Sequence, residues 1–263
     1  MSLDTIINVK KLYHHLNSAY EQNKTVSPLS EIAPTLSVDQ AYQVQLLHVE
    51  NALKQGKIVT GKKIGLTSKA MQTQLGVNEP DYGHLFDAMY LPNGASIQKE
   101  QVLQPKVEAE IAFKLSNDLK GPGITAFEVI QATEYIFPAL EIIDSRIKNW
   151  QITLADTIAD NASSGLYVLG DQPIRLTGID LRQIAVTLYK NNEIVNTGVG
   201  IAALNHPAKC VAWLANKLAQ YNLSLKAGEI ILSGALSGAT AAQPRDAYKA
   251  KFSELGEVSV HFE

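Results

Sequence analysis

Between residues 107 and 115 every second residue is apolar: Val107, Ala109, Ile111, Phe113 and Leu115. Side chains of a strand alternate between two faces, so this row specifies a strand with one face in a core. The same alternation sets Glu108 and Glu110 together on the opposite face. Two carboxylates that close repel, and one pKa rises unless a cation neutralises them. A lone Glu-x-Glu is more often a solvated strand face. Glu141 changes that balance, because it lies inside Pro-Ala-Leu-Glu-Ile-Ile, where apolar neighbours predict burial. A buried carboxylate needs a paired charge, a metal or a proton. Arg146 is one candidate partner. Three strand carboxylates without matching bases point instead to a hard divalent cation, Mg2+ or Mn2+, since every ligand is oxygen.

The pattern elsewhere predicts an α+β chain. Residues 1–56 read as a helical N-terminal segment, with Ile6, Val9, Leu12, Leu16 and Tyr20 at three- and four-residue steps. After a break at Pro28 and Pro34, Ser37-Val-Asp-Gln40 has capping-box spacing, and Gly56 is placed to close that helix. Residues 57–263 read as a strand-rich mixed β body that carries the chemistry. Within it, Thr125-Ala-Phe-Glu128 opens a helix expected to end at Pro138, and a hairpin is expected around Asn191-Asn192. Pro207 suits the first turn of a helix running to about Tyr221, and three strands close the chain. Strands that outnumber helices without alternating with them argue against a doubly wound sheet or a TIM barrel.

Bulk properties narrow the function. A net charge of -3 gives no basic field for nucleic acid. No run of 18 apolar residues offers a membrane span, and the charged N-terminal region lacks a signal-peptide pattern. Cys210, the single cysteine, excludes an internal disulfide and reads as a core residue. A cytoplasmic enzyme is the resulting expectation. The six histidines show no zinc spacing, and neither Gly61-Lys-Lys-Ile-Gly65 nor the Gly234–Gly238 loop has phosphate-binding spacing.

Three further residues draw notice. Lys63, flanked by Ile64, Gly65 and Leu66, is placed on a partly buried strand, where desolvation lowers a lysine pKa and suits it to acid–base work. An isolated lysine is more often solvated. Asp81 in Glu-Pro-Asp-Tyr-Gly and Ser163 in Asp-Asn-Ala-Ser-Ser, taken alone, read as turn or cap residues.

GKKIGLTSKAMQTQLGV, EPDYGHLF, QPKVEAEIAF, FPALEIIDSRIKNW, DTIADNASSG and LSGAL follow one another in this order. Together they resemble the 2-hydroxypenta-2,4-dienoate (2-oxopent-4-enoate) hydratases of aromatic meta-cleavage pathways, in the fumarylacetoacetase-type superfamily. The resemblance runs from about residue 30 to the end. It implies a fumarylacetoacetase-type β body, a metal on Glu108, Glu110 and Glu141, and Lys63, Asp81 and Ser163 on the substrate side. It also implies a small unsaturated 2-oxo or 2-hydroxy acid as substrate, and homo-oligomers. Asn205-His206-Pro207 stands where the family often has Gly-His-Pro, and Pro244-Arg245-Asp246 where Pro/Ala-Gly-Asp is usual. The alternatives are a 4-oxalocrotonate-type decarboxylase and, from another class, a non-catalytic partner subunit of a pathway complex.

Overall fold

The computed structural model describes residues 8–74 and 76–263; Ile6, with the rest of residues 1–7, lies outside them. Three helices open the chain: α1 (Val9–Gln22), α2 (Leu29–Ile32) and α3 (Val38–Lys54). α1 buries Leu12, Leu16 and Ala19, while Tyr20 near its end is half exposed and stacks on His48. The capping box at Ser37 and Gln40 is formed, and Gly56 ends the segment at φ 85°.

The body follows as β1 (Val59–Gly65), α4 (Lys69–Gln74), β2 (Asp81–Phe86), β3 (Tyr90–Leu91), β4 (Ser96–Ile97), β5 (Pro105–Leu115), α5 (Ala126–Ala132), β6 (Thr133–Asp144), α6 (Leu154–Ala159), β7 (Ser164–Leu169), β8 (Ala185–Lys190), β9 (Glu193–Val199), α7 (Pro207–Ala219), β10 (Ile230–Leu232), β11 (Thr240–Ala241), β12 (Ala247–Phe252) and β13 (Gly256–Phe262). An eight-stranded mixed sheet runs β2-β1-β10-β5-β6-β7-β3, with β11 beside β5, and a five-stranded sheet runs β4-β13-β12-β8-β9. The apolar row of β5 enters the main core with Ile64, Leu140, Ile142 and Val168, and Val258 and Val260 of the smaller sheet join it. Leu12, Leu16 and Leu29 belong to the same cluster, so the N-terminal helices share the core of the body. Cys210 is buried in it. No helix among the described residues is long and apolar enough to cross a membrane.

One boundary differs from expectation. The helix opened by Thr125 ends at Ala132, and Pro138 sits within β6. The residues from Thr133 to Phe137 include β-branched and aromatic side chains that favour a strand. Proline is tolerated there because the β6–β7 ladder begins only at Ala139, so a ladder donor is not required on that side. The two departures from the expected pattern share a geometric feature: Asn205 and Arg245 both have left-handed backbones, at φ 64° and 74°. Glycine adopts that conformation without a Cβ penalty, so the glycine that the resemblance expects at both places would fit the same backbone.

Candidate active site and metal centre

The face of β5 opposite the core carries Lys106, Glu108 and Glu110. In the antiparallel β5–β6 ladder Glu108 lies directly across from Glu141, an arrangement that like charges make unfavourable. One carboxylate oxygen from each of Glu108, Glu110 and Glu141 lies within 4.8 Å of the other two. Glu110 and Glu141 are each only 1% exposed. Glu110 Oε1 and both carboxylate oxygens of Glu141 are buried without accepting a hydrogen bond. Glu110 Oε2 accepts one at 2.8 Å from the Gly234 N–H, so the small-residue loop after β10 holds an acid of the cluster.

Burial, and then mutual repulsion, raises these acids. Glu108 is pushed up to about 7 by burial and by Glu141, against the pull of Lys63 and Lys106. Glu110 is raised by burial and by both other glutamates, and Glu141 by burial despite Lys63. Three convergent acids, with unpartnered buried oxygens on Glu110 and Glu141, form a donor set suited to a hard cation. The residues present fit a divalent ion.

Lys63 comes from β1, one strand past β10, and is 3% exposed. Its Nζ stands 3.3 Å from Glu141 Oε1 and donates to the Ala162 carbonyl at 3.1 Å. Lys63 is therefore the base beside Glu141. Arg146 is not: it pairs with Asp160 at 2.6 Å and donates to the carbonyls of Asp160 and Ser164. The expectation of a lowered lysine pKa is also corrected. Burial pulls it down, but Glu141, Asp81, Glu108 and Glu110 together outweigh burial and raise it above the ordinary lysine value.

Asp81 starts β2 beside Gly65, where a Cβ would lie 2.2 Å from the Asp81 carboxylate; only glycine leaves room. Burial raises the Asp81 pKa, with Lys63 opposing. Thr157 Oγ1 lies 3.5 Å from Asp81 Oδ2 and 3.3 Å from Ser163 Oγ, which joins the two expected residues through a hydroxyl. A cavity of about 240 Å3 brings Lys63, Asp81, Glu108 and Ser163 together with Lys106 and Trp150. All six residues singled out from the sequence thus converge on one face of the larger sheet.

Several contributors were not singled out. Asn161, Ala162 and Ser163 have three successive left-handed backbones, at φ 53°, 51° and 52°. Such a turn costs on the order of 1–3 kcal/mol per residue and persists only where its surroundings hold it. The holder is Asn161. Its Oδ1 accepts from the His84 N–H at 2.8 Å and its Nδ2 donates to the His84 carbonyl at 2.9 Å. β2 is the edge of the sheet, so the Asn161 amide takes the place of a missing neighbouring strand. Behind it, His84 Nδ1 meets Gln45 Oε1 at 3.1 Å, and burial depresses His84 to about 3. The tolerance of asparagine for left-handed geometry was the available signal in Asp-Asn-Ala-Ser.

Residues 62–263 match the fumarylacetoacetate (FAA) hydrolase C-terminal family. The chain is 44% identical over 248 residues to a 2-keto-4-pentenoate hydratase of Paraburkholderia xenovorans (strain LB400), covering 94% of this chain and 92% of that one. It is 46% identical over 221 residues to a 2-hydroxypent-2,4-dienoate hydratase of Pseudomonas putida, covering 84% and 99%. Among solved structures, 4-oxalocrotonate decarboxylase from Pseudomonas putida G7, complexed with magnesium and adipate, superposes with a TM-score of 0.94 at 35% identity over 97% of both chains. The chain is thus an enzyme of the fumarylacetoacetate hydrolase family and belongs, within it, with the 2-keto-4-pentenoate hydratases.

Proposed function

We propose that the enzyme hydrates 2-hydroxypenta-2,4-dienoate to 4-hydroxy-2-oxopentanoate with Mg2+ or Mn2+ held by Glu108, Glu110 and Glu141. The observation that carries this reading is the cluster of three convergent acids, two of which bury carboxylate oxygens that accept no hydrogen bond, beside a small cavity. Four carboxylates and two lysines around that cavity leave a formal charge of -2, which a divalent ion neutralises. When bound, the ion supplies Lewis-acid stabilisation of negative charge on the substrate's C2 oxygen.

The chain's own groups divide the remaining work. Lys63, whose pKa its acidic neighbours raise against burial, stabilises charge on the C2 oxygen. The 2-hydroxyl proton moves to C5, giving a conjugated 2-oxo-3-enoate. Water then adds at C4, and a proton arrives at C3, so the net change is one water across the C4–C5 double bond. Asp81, whose carboxyl retains a proton more readily than usual, carries protons on this face. Ser163 hydrogen-bonds the substrate and, through Thr157, keeps Asp81 in register.

A decarboxylase is the second reading, favoured by the superposition on 4-oxalocrotonate decarboxylase. It requires accommodation of a second carboxylate, and a buried charge needs a partner. Lys62 is engaged by Glu229 at 2.6 Å, Arg146 by Asp160 and Lys63 by Glu141. Among the described bases at the cavity, that leaves Lys106 alone. The test is turnover with Mg2+: the dienol's ultraviolet absorbance should fall as 4-hydroxy-2-oxopentanoate forms, and 4-oxalocrotonate should release no CO2. Rapid CO2 release with negligible hydration would reverse the choice.

A further inference from the structure

Lys106 shares its face of β5 with Glu108 and Glu110, and its side chain lines the cavity. Among the described residues no carboxylate lies within 4 Å of its ammonium, in contrast to Lys62, Lys63 and Arg146. Its contact is aromatic: Nζ sits 4.0 Å from the centroid of the Trp150 ring. That ring is fixed. Trp150 Nε1–H donates to the Gln104 carbonyl at 3.0 Å, and the adjacent Asn149 N–H donates to Gln104 Oε1. Asn149 and Trp150 both hold left-handed backbones, at φ 58° and 56°, a strained turn that brings the indole under the lysine.

A cation resting on an aromatic face keeps its outward N–H donors free. In a half-buried, largely apolar cavity those donors have lost part of their water, so an anion that fills them is favoured. Along β5 the order is Lys106, Glu108, Glu110, with Glu110 the most deeply buried. Lys106 therefore flanks the acid cluster on its outer side, while Lys63 borders it next to Glu141. A 2-hydroxy acid has two oxygen-bearing groups side by side, C1 and C2. If Lys63 meets the C2 oxygen, the anionic group left for Lys106 on a monocarboxylic substrate is the C1 carboxylate.

We propose that Lys106, seated on Trp150, is the residue that receives the substrate's C1 carboxylate and so sets which end of the acid meets Lys63. This rests on the hydratase reading for the identity of the acid. The binding measurement that tests it does not depend on hydration. 2-Oxopentanoate has no double bond to hydrate, and its binding to the full-length enzyme at saturating Mg2+ is read by calorimetry. Lys106→Met should weaken it about 10- to 100-fold, the worth of one charge-assisted hydrogen bond. Lys106→Arg, which keeps charge and donors, should recover most of that loss. The methyl ester of 2-oxopentanoate should bind wild type more weakly, and Lys106→Met should leave its affinity unchanged, because charge and partner are then removed as a pair. 2-Oxohexanedioate, with a second carboxylate at its far end, should suffer the same factor as the monocarboxylate. Unchanged affinity for 2-oxopentanoate in a folded Lys106→Met enzyme would overturn the assignment, and so would a loss confined to the dicarboxylate. Should Lys106→Met fail to fold, Trp150→Leu keeps the lysine but removes its platform, and unaltered binding there would overturn the proposal equally. Failure of the hydratase reading looks different, as intact Lys106-dependent binding with no turnover of the dienoate.

Discussion

Glu108→Gln should make the metal-free enzyme more stable at pH 8 and leave it little changed near pH 4.5. Glu108 faces Glu141 across the β5–β6 ladder, and burial followed by that repulsion pushes its carboxyl from an ordinary 4.5 up to about 7. The folded protein therefore holds this proton up to about pH 7, whereas the unfolded chain gives it up near 4.5. Unfolding releases a proton within that window, so the stability from this group is present below pH 4.5 and is lost as pH rises to about 7. Full loss corresponds to about 3 kcal/mol, and solvent at the half-buried carboxyl screens part of it, so about 1–3 kcal/mol is expected. Glutamine has no such charge to lose. For a protein of this size the gain corresponds to a rise in Tm of roughly 3–10 °C. Thermal melts in EDTA at fixed protein concentration, at pH 4.5 and pH 8, measure it. Adding Mg2+ at ~100 times its dissociation constant should stabilise wild type by about 2.7 kcal/mol and the variant by less, which narrows or reverses the order. A variant no more stable than wild type at pH 8 in EDTA, or equally stabilised at both pH values, would refute the charge argument.

Lys63→Ala should retain the fold and bind Mg2+ while turnover drops by roughly 10²–10⁴-fold; near-normal turnover in the metal-loaded variant would return Lys63 to a structural role. Asn161→Ala strips both backbone partners from His84 at the sheet edge. It should destabilise by about 2–4 kcal/mol in denaturant titration and reduce kcat more than it raises KM, since the Ala162 carbonyl no longer fixes Lys63. The enzyme should be a homo-oligomer, and light scattering that returns only the mass of a single chain at working concentrations would contradict this.

Periodicity carried the local structure well, and the misses fall where a choice depends on distant partners. The row Val107–Leu115 is a strand buried on one side because alternation is a property of the backbone itself. The capping box at Ser37 and the left-handed Asn191-Asn192 turn of the β8–β9 hairpin are likewise local, with φ 54° and 67° at the turn. Pro138 misled because its effect depends on whether a ladder donor is needed, which only the end of β7 decides. Arg146 is a candidate partner for Glu141 by closeness in sequence alone, yet five residues along β6 and into the following turn carry it to Asp160. Lys63 lay 78 positions before Glu141 in the sequence, and only the strand order β1-β10-β5-β6 brings them together. Its raised pKa has the same origin, since burial alone would have lowered it. The indole fixed beneath Lys106 depends on contacts of Trp150 with Gln104, 46 positions away in sequence, and leaves no local pattern.

Strand alternation also separates what holds this protein together from what it does. On β5, Val107, Ala109, Ile111 and Phe113 pack the core, while Lys106, Glu108 and Glu110 face the cavity. Substitutions on the second face alter charge and chemistry with little effect on the packing of the first. Stability there even runs against function, because burying four acids together raises the pKa of each carboxyl when no divalent ion offsets their charge. This division fits a decarboxylase at 35% identity that superposes with a TM-score of 0.94. Hydration and decarboxylation of 2-oxo acids both pass through negative charge on the C2 oxygen, so one acid cluster and one lysine serve either. What must differ is the recognition of the rest of the acid, which the assignment of Lys106 on Trp150 to the shared C1 carboxylate leaves to the other side chains of the cavity.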